Sequence, residues 1–314
     1  MEDQTAALTA AAWAAHYIQV AAAMLLFGGS LFPFYSRAEG WPAHWRALGF
    51  LPLTAALFLS VALAAALKIA DLTGDPATLL DAGELKGFFL ETSFGGVWLL
   101  RLAVSAALFA VALCYAVKAR LSRSFVRSRD AVLLSLCGLV LLSFAGGGHA
   151  GAISGNQSAF AATVWEGLHL LAAGAWIGGL LPLLHSMGVA DGHDGTVASA
   201  VRLLRSFSLM GQLTVGTLIL GGFATLIVLM GAWHVTVQVL TASNYGQALI
   251  VKHALIAAML VIAGVNRFVL LQRLEAGTAR VSQMRRAILL ECALAVLVIA
   301  AGVTLSQSPP PSDI

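Results

Sequence analysis

Residues 146–183 read GGGHAGAISGNQSAFAATVWEGLHLLAAGAWIGGLLPL. From residue 160 to 185 the chain is almost wholly apolar or small, longer than the about 20 residues that a helix needs to cross the hydrocarbon core of a bilayer. Lipid offers no partner to backbone N–H and C=O groups, so such a run must satisfy them within itself as an α-helix. Yet Glu166 and His169 sit inside this run and His149 stands just before it. Ionisable groups at membrane depth are costly, and they usually face a bundle interior or mark a site. This stretch therefore poses both the fold and the functional question.

Its neighbours repeat the pattern. Apolar runs lie near 8–34, 47–70, 98–117, 131–149, 160–185, 206–232, 248–270 and 287–306. The 314 residues are 59% hydrophobic and only 11% charged, against roughly 25% charged in a soluble domain. The expected fold is an all-α polytopic membrane protein with about eight transmembrane helices, forming a single integral-membrane domain over 1–314. The acidic start MEDQTAALTA lacks the basic n-region of a cleaved signal peptide, so the first span is expected to stay. Cys114, Cys137 and Cys292 show no C-x-x-C pairing, which argues against a disulfide scaffold or zinc knuckle.

Cations set the expected orientation. Fourteen of the 18 Lys and Arg residues follow the first, third, fifth and seventh runs, and the positive-inside rule makes that side cytoplasmic. Both termini are then periplasmic, and the 71–97 segment with Asp75 and Asp81 is an external, capped amphipathic turn. The net charge of +3 is accounted for by the inner loops and calls for no nucleic-acid partner. Trp176 alone among the tryptophans falls mid-span, which predicts packing inside the bundle. Gly28–Gly29, Gly178–Gly179, Gly211, Gly216 and Gly221–Gly222 read as seams where helices approach closely.

Under that topology His44, His185 and His193 belong to the inner side, whereas His16, His149, His169, His234 and His253 group on the outer side. His169 should lie about 12 Å inside the outer end of its helix. Glu166 and His169, three apart, share a helix face. A short connection at 150–160 would bring His149 back onto them. Two imidazoles with one carboxylate suit Cu(II), Zn(II) or Fe better than Mg or Ca, and the carboxylate can instead orient a ring. The plainer alternative is a set of histidines merely hydrogen-bonded to neighbours. His16, Gln19, Ala23 and Met24 form a weaker stripe on the first span. The three cysteines, all in inner halves of spans, would suit Cu(I) or be simple small apolar residues.

GGGHAGA followed by WEGLHLLAAGAWIGGLLPL resembles the signature of the copper resistance protein D (CopD) family, a Gly-His-Ala before Asp-x-x-His-Leu-Leu-Ala-Ala and Trp-x-Gly-Gly-Leu. TASNYGQALIVKHALIAAMLVIAGVNRFVLLQRL, residues 241–274, resembles that family's Thr-x-Tyr-Gly…Lys…Asn-Arg helix, so 140–306 is the CopD-like region. The resemblance implies a multi-pass protein of the bacterial inner membrane that takes copper at the periplasmic face and moves it inward, beside a periplasmic copper-binding (CopC-like) partner. His149 and His169 match family histidines, and Glu166 stands where the family has Asp. His16 is a further candidate ligand. His253 follows the family Lys at a position more often aliphatic. No nucleotide loop or phosphorylation motif is present, so the expectation is handling of the ion rather than enzymatic catalysis. Two other readings remain open. One is a b-type haem electron carrier with bis-His ligation, and the other is a non-transporting docking protein for a copper chaperone.

Overall fold

The computed structural model describes residues 2–36, 43–117, 123–145, 156–190, 197–232 and 243–308. They form α1 (Glu2–Ser36), α2 (Ala43–Thr73), a 3-10 turn (Pro76–Leu80), α3 (Ala82–Glu91), α4 (Ser93–Val117), α5 (Arg123–Ala145), α6 (Asn156–Ala190), α7 (Val197–Ala232), α8 (Asn244–Val265), a π turn (Asn266–Leu270), α9 (Leu271–Glu275) and α10 (Val281–Gln307). Wherever its residues are described, each apolar run lies in a helix. Among the described residues, seven helices are long and apolar enough to span a membrane. The fourth run is the exception. Its helix α5 carries an apolar stretch over Asp130–Ala145, and residues 146–149 lie outside the described residues. The chain is thus an all-α polytopic membrane protein with about seven such helices.

The distribution of apolar surface agrees with a lipid solvent. Leu59, Leu63, Leu100, Leu213, Leu220, Val261 and Leu297 are exposed in mid-helix, where water would penalise them and acyl chains do not. Pro33, Pro52 and Pro182 lie inside helices, which membrane helices tolerate when nearby side chains and neighbouring helices compensate the freed carbonyls.

The chain divides into two compact units. The first comprises residues 1–26 and 42–167, with α2 packed on α4 and α4 on α5. Gln19 of α1 is fully buried there, and its Nε2 donates to the Ser60 carbonyl of α2 at 2.9 Å. The polar member of the α1 stripe is thereby spent on joining two helices. Between α2 and α4 the expected capped turn is present. The Asp75 carboxylate accepts from the Ala77 N–H at 2.8 Å and Asp81 from the Gly83 N–H at 2.7 Å, satisfying donors that a helix start leaves orphaned. Gly74, at φ 71°, makes the left-handed exit from α2 that favours glycine.

The second unit comprises residues 27–41 and 168–314, in which α8 packs along α10 and α9 against α7. Here the glycine seam is real. A methyl placed on Gly28 of α1 would fall 2.5 Å from the Gly174 carbonyl oxygen and 2.5 Å from the Gly178 Cα of α6. Gly211 and Gly216 behave differently, having nothing within 4 Å of such a methyl. Trp176 is 4% exposed, as its mid-span position predicts. At the loop end, Arg205 of α7 pairs with Glu275 of α9 at 2.8 Å.

Candidate functional site

α6 carries both Glu166 and His169 on one continuous helix, three residues apart and therefore on one face. His169 is half-buried. The described titratable groups that act on it through space are Lys252 and His253, neighbours on α8. His169 and His253 of the expected set both belong to the second unit. The Nδ1 of His253 lies 2.8 Å from the Leu249 carbonyl oxygen one turn back. With Nδ1–H donating to that carbonyl, Nε2 is the nitrogen carrying a free lone pair, the arrangement that metal-ligating imidazoles use.

His16 belongs to the first unit. Its ring meets Phe144 of α5 edge-on at 5.9 Å, and Arg101 of α4 acts on it through space. Arg101 is the unexpected residue. It is 4% exposed inside a membrane-crossing helix. Its Nε donates to the Ser143 hydroxyl at 3.1 Å and one terminal nitrogen to the Ser143 carbonyl at 2.7 Å. Its guanidinium lies 4.3 Å from the Phe144 ring centroid and 4.8 Å from that of Trp98. Two fork bonds and two aromatic faces are how a guanidinium is held where water is scarce. His16 therefore shares the Phe144 ring with a cation, Arg101.

His149 and His234 lie outside the described residues, as do His193 and most of the 150–160 connection. The convergence expected of His149 with Glu166 and His169 consequently has no counterpart among the described residues. Among those residues no group of three or more His, Cys, Asp or Glu is placed to hold a metal ion. Cys114 is exposed, Cys137 buried and Cys292 half-buried.

A second buried ionisable group also escaped the reading of the sequence. Glu291, on α10, is 4% exposed, and it accepts a hydrogen bond from the Asn266 carboxamide at the π turn. Both Arg101 and Glu291 could have been found as charges about one turn inside the runs 98–117 and 287–306, the same kind of signal as Glu166.

This is a multi-pass helical membrane protein that buries the charged groups Arg101 and Glu291 within its apolar helices. Residues 4–159 match the family model described as "Copper resistance protein D-like, N-terminal domain", and residues 201–305 match "Copper resistance protein D". The chain belongs to the copper resistance protein D family. Proteins of this type are transporters or accessory proteins rather than catalysts. The chain is 29% identical over 291 residues to "Copper resistance protein D" of Pseudomonas syringae pv. tomato, covering 88% of this chain and 89% of that protein. It is 30% identical over 186 residues to "Inner membrane protein YebZ" of Escherichia coli (strain K12), covering 59% of this chain and 58% of YebZ. It is 28% identical over 229 residues to "Copper transport protein CutJ" of Bacillus subtilis (strain 168), covering 73% of this chain but 39% of CutJ. No solved structure matches. The family matches take in His16, His149 and His253, whereas Glu166 and His169 fall between the two matched stretches. The N-terminal spans, outside the 140–306 region that resembles the family, have a family match of their own.

Proposed function

We propose that the chain is a copper-homeostasis protein of the bacterial inner membrane, working as one integral-membrane domain with eight spans and both termini periplasmic. It accepts copper at the periplasmic face through His149 and His169, assisted by Glu166, with His16 and His253 as further imidazoles, and passes the ion toward the cytoplasm. A periplasmic copper-binding protein is the donor. The observation that carries this reading is the fixed ring of His253, whose Nδ1 lies 2.8 Å from the Leu249 carbonyl oxygen, in a chain that matches the copper resistance protein D family model over residues 201–305. Two imidazoles on separate helices, one with its ring fixed by a backbone carbonyl, are the beginning of a borderline-soft ligand set. The test is copper stoichiometry on purified protein. His169→Ala should lose most bound copper, whereas His185→Ala should retain it. Full occupancy in a well-folded His149→Ala/His169→Ala protein would remove histidine ligation from the mechanism. Copper that binds but never crosses sealed vesicles would instead assign the chain a docking role.

One observation favours a second reading. Arg101 beside His16 suits an anionic group better than a bare metal ion, and the carboxylates of a b-type haem are such a group. His16 would supply an imidazole ligand and Arg101 a partner for a propionate. A Soret band in the purified protein that disappears in His16→Ala selects this reading, and its absence from haem-replete cells excludes it.

A further inference from the structure

We infer that Glu291 and Asn266 form an intramembrane proton-binding site, in which Glu291 is held as the neutral acid and exchanges its proton with water. The inference is independent of the copper reading. Glu291 is 4% exposed and Asn266 is 9% exposed, and both lie in helices long and apolar enough to cross the membrane. An ionised carboxylate in such surroundings costs far more than a neutral one unless a cation compensates it. The described partner is a carboxamide. The Asn266 Nδ2 donates to one Glu291 oxygen, and the Asn266 Oδ1 is buried with no hydrogen-bond partner. A buried acceptor without a donor carries the desolvation cost in full. A proton on Glu291 removes both penalties together. It neutralises the carboxylate and creates the O–H that the stranded Oδ1 lacks, giving an acid–amide pair with a donor and an acceptor on each side.

Among the described residues, the cations near the pair in sequence are turned to other partners. On α10 itself the adjacent titratable group is Cys292, a thiol. Arg285 lies about 9 Å along the helix from Glu291, with its guanidinium near Gly188 of α6. From the π turn, Arg267 sends a guanidinium nitrogen to the Ser208 hydroxyl of α7 and lies over Phe268. Lys252 of α8 packs near Gly302, eleven residues and about 16 Å along α10 from Glu291. Asn266 also opens the π turn, a backbone irregularity that recurs at functional sites. Proton uptake writes as Glu291 carboxylate plus hydronium giving the carboxylic acid plus water, and release is the reverse.

Infrared spectra of the full-length protein in lipid nanodiscs test the site. At neutral pH the wild type minus Glu291→Gln difference should show a protonated-carboxyl C=O band that moves down in D2O. Glu291→Gln should keep the wild-type melting temperature, since a carboxamide offers the same donor and acceptor. Asn266→Ala, which retains Glu291, should shift the carboxyl band upward by removing its hydrogen-bond partner, and this holds the test open if Glu291→Gln fails to fold. A carboxylate band in place of the acid overturns the inference, and so does an acid band unmoved in Asn266→Ala. Loss of the acid band on adding sodium at constant pH also overturns it, because the carboxylate would then hold a metal cation instead. Copper stoichiometry of Glu291→Gln should equal wild type, which keeps this outcome separate from the copper reading.

Discussion

Gly28→Ala is the smallest change that tests how the second unit is packed. The added methyl would fall 2.5 Å from the Gly174 carbonyl oxygen and 2.5 Å from the Gly178 Cα, where contact distances begin near about 3.5 Å. The shortfall of about 1 Å cannot be relieved by a side-chain rotation, because the atoms in the way are backbone. α1 and α6 must separate along the seam. Overpacking of a tight interior costs about 1–3 kcal/mol, and the absence of any flexible neighbour puts this site near the upper end. Replacing Gly by Ala inside a helix returns about 1 kcal/mol of propensity. The net loss is therefore about 2 kcal/mol, or about 4–8 °C of melting temperature on the scale of a mid-sized domain. Thermal unfolding in one detergent, with the half-life at a fixed temperature as a second readout, measures it. Gly216→Ala is the control, since a methyl there meets nothing within 4 Å, and it should be neutral or slightly stabilising. Equal stability of Gly28→Ala and wild type would refute the close approach of α1 to α6.

The other predictions concern charge. Arg101→Lys should lower stability by about 1–3 kcal/mol in thermal unfolding, because an ammonium cannot reproduce both fork bonds to Ser143. Ser143→Ala, which leaves the carbonyl acceptor in place, should cost about 1 kcal/mol. Glu166→Asp should keep most copper binding, whereas Glu166→Gln should weaken it about 10–100-fold in an equilibrium titration; equal affinities would take the carboxylate out of the site. A topology reporter fused after Arg123 should read cytoplasmic and one after Ser308 periplasmic, and matching signals from the two would break the eight-span count.

What could be read beforehand follows from how each feature is encoded. Helix positions are legible because lipid demands a continuous apolar run, and each run lies in a helix wherever its residues are described. The caps of the 71–97 segment are legible because Asp75 before Pro76 and Asp81 before Ala82 are local signals. Glycine seams are only half legible. Gly28 and Gly211 are alike in sequence, but Gly28 has Gly174 and Gly178 opposite and Gly211 has nothing near, and partner choice is a property of packing. Gln19 looked like part of a polar stripe until Ser60 supplied its acceptor. The π turn leaves no compositional trace at all, because it shifts a hydrogen-bond register and not a residue type. Arg101 and Glu291 were legible as isolated charges, but attention to imidazoles as ligands passed over them.

The polar features of the second unit are spread along one continuous segment. His253 and Asn266 are thirteen residues apart on α8 and its π turn, or about 20 Å at about 1.5 Å per residue. Substitutions that far apart with no shared partner normally add within about 0.3–0.5 kcal/mol. The imidazole end and the carboxyl end are thus separate in both chemistry and energetics. A failed copper titration leaves the proton site standing, and a carboxylate band from Glu291 leaves His169 and His253 where they are. An interaction between His253→Ala and Glu291→Gln larger than that additivity limit would need a mechanical cause. The segment supplies one place for it, the π turn that opens at Asn266, where the hydrogen-bond register changes between α8 and α9. Coupling measured there would report movement of α8 as a body, not contact between the two sites.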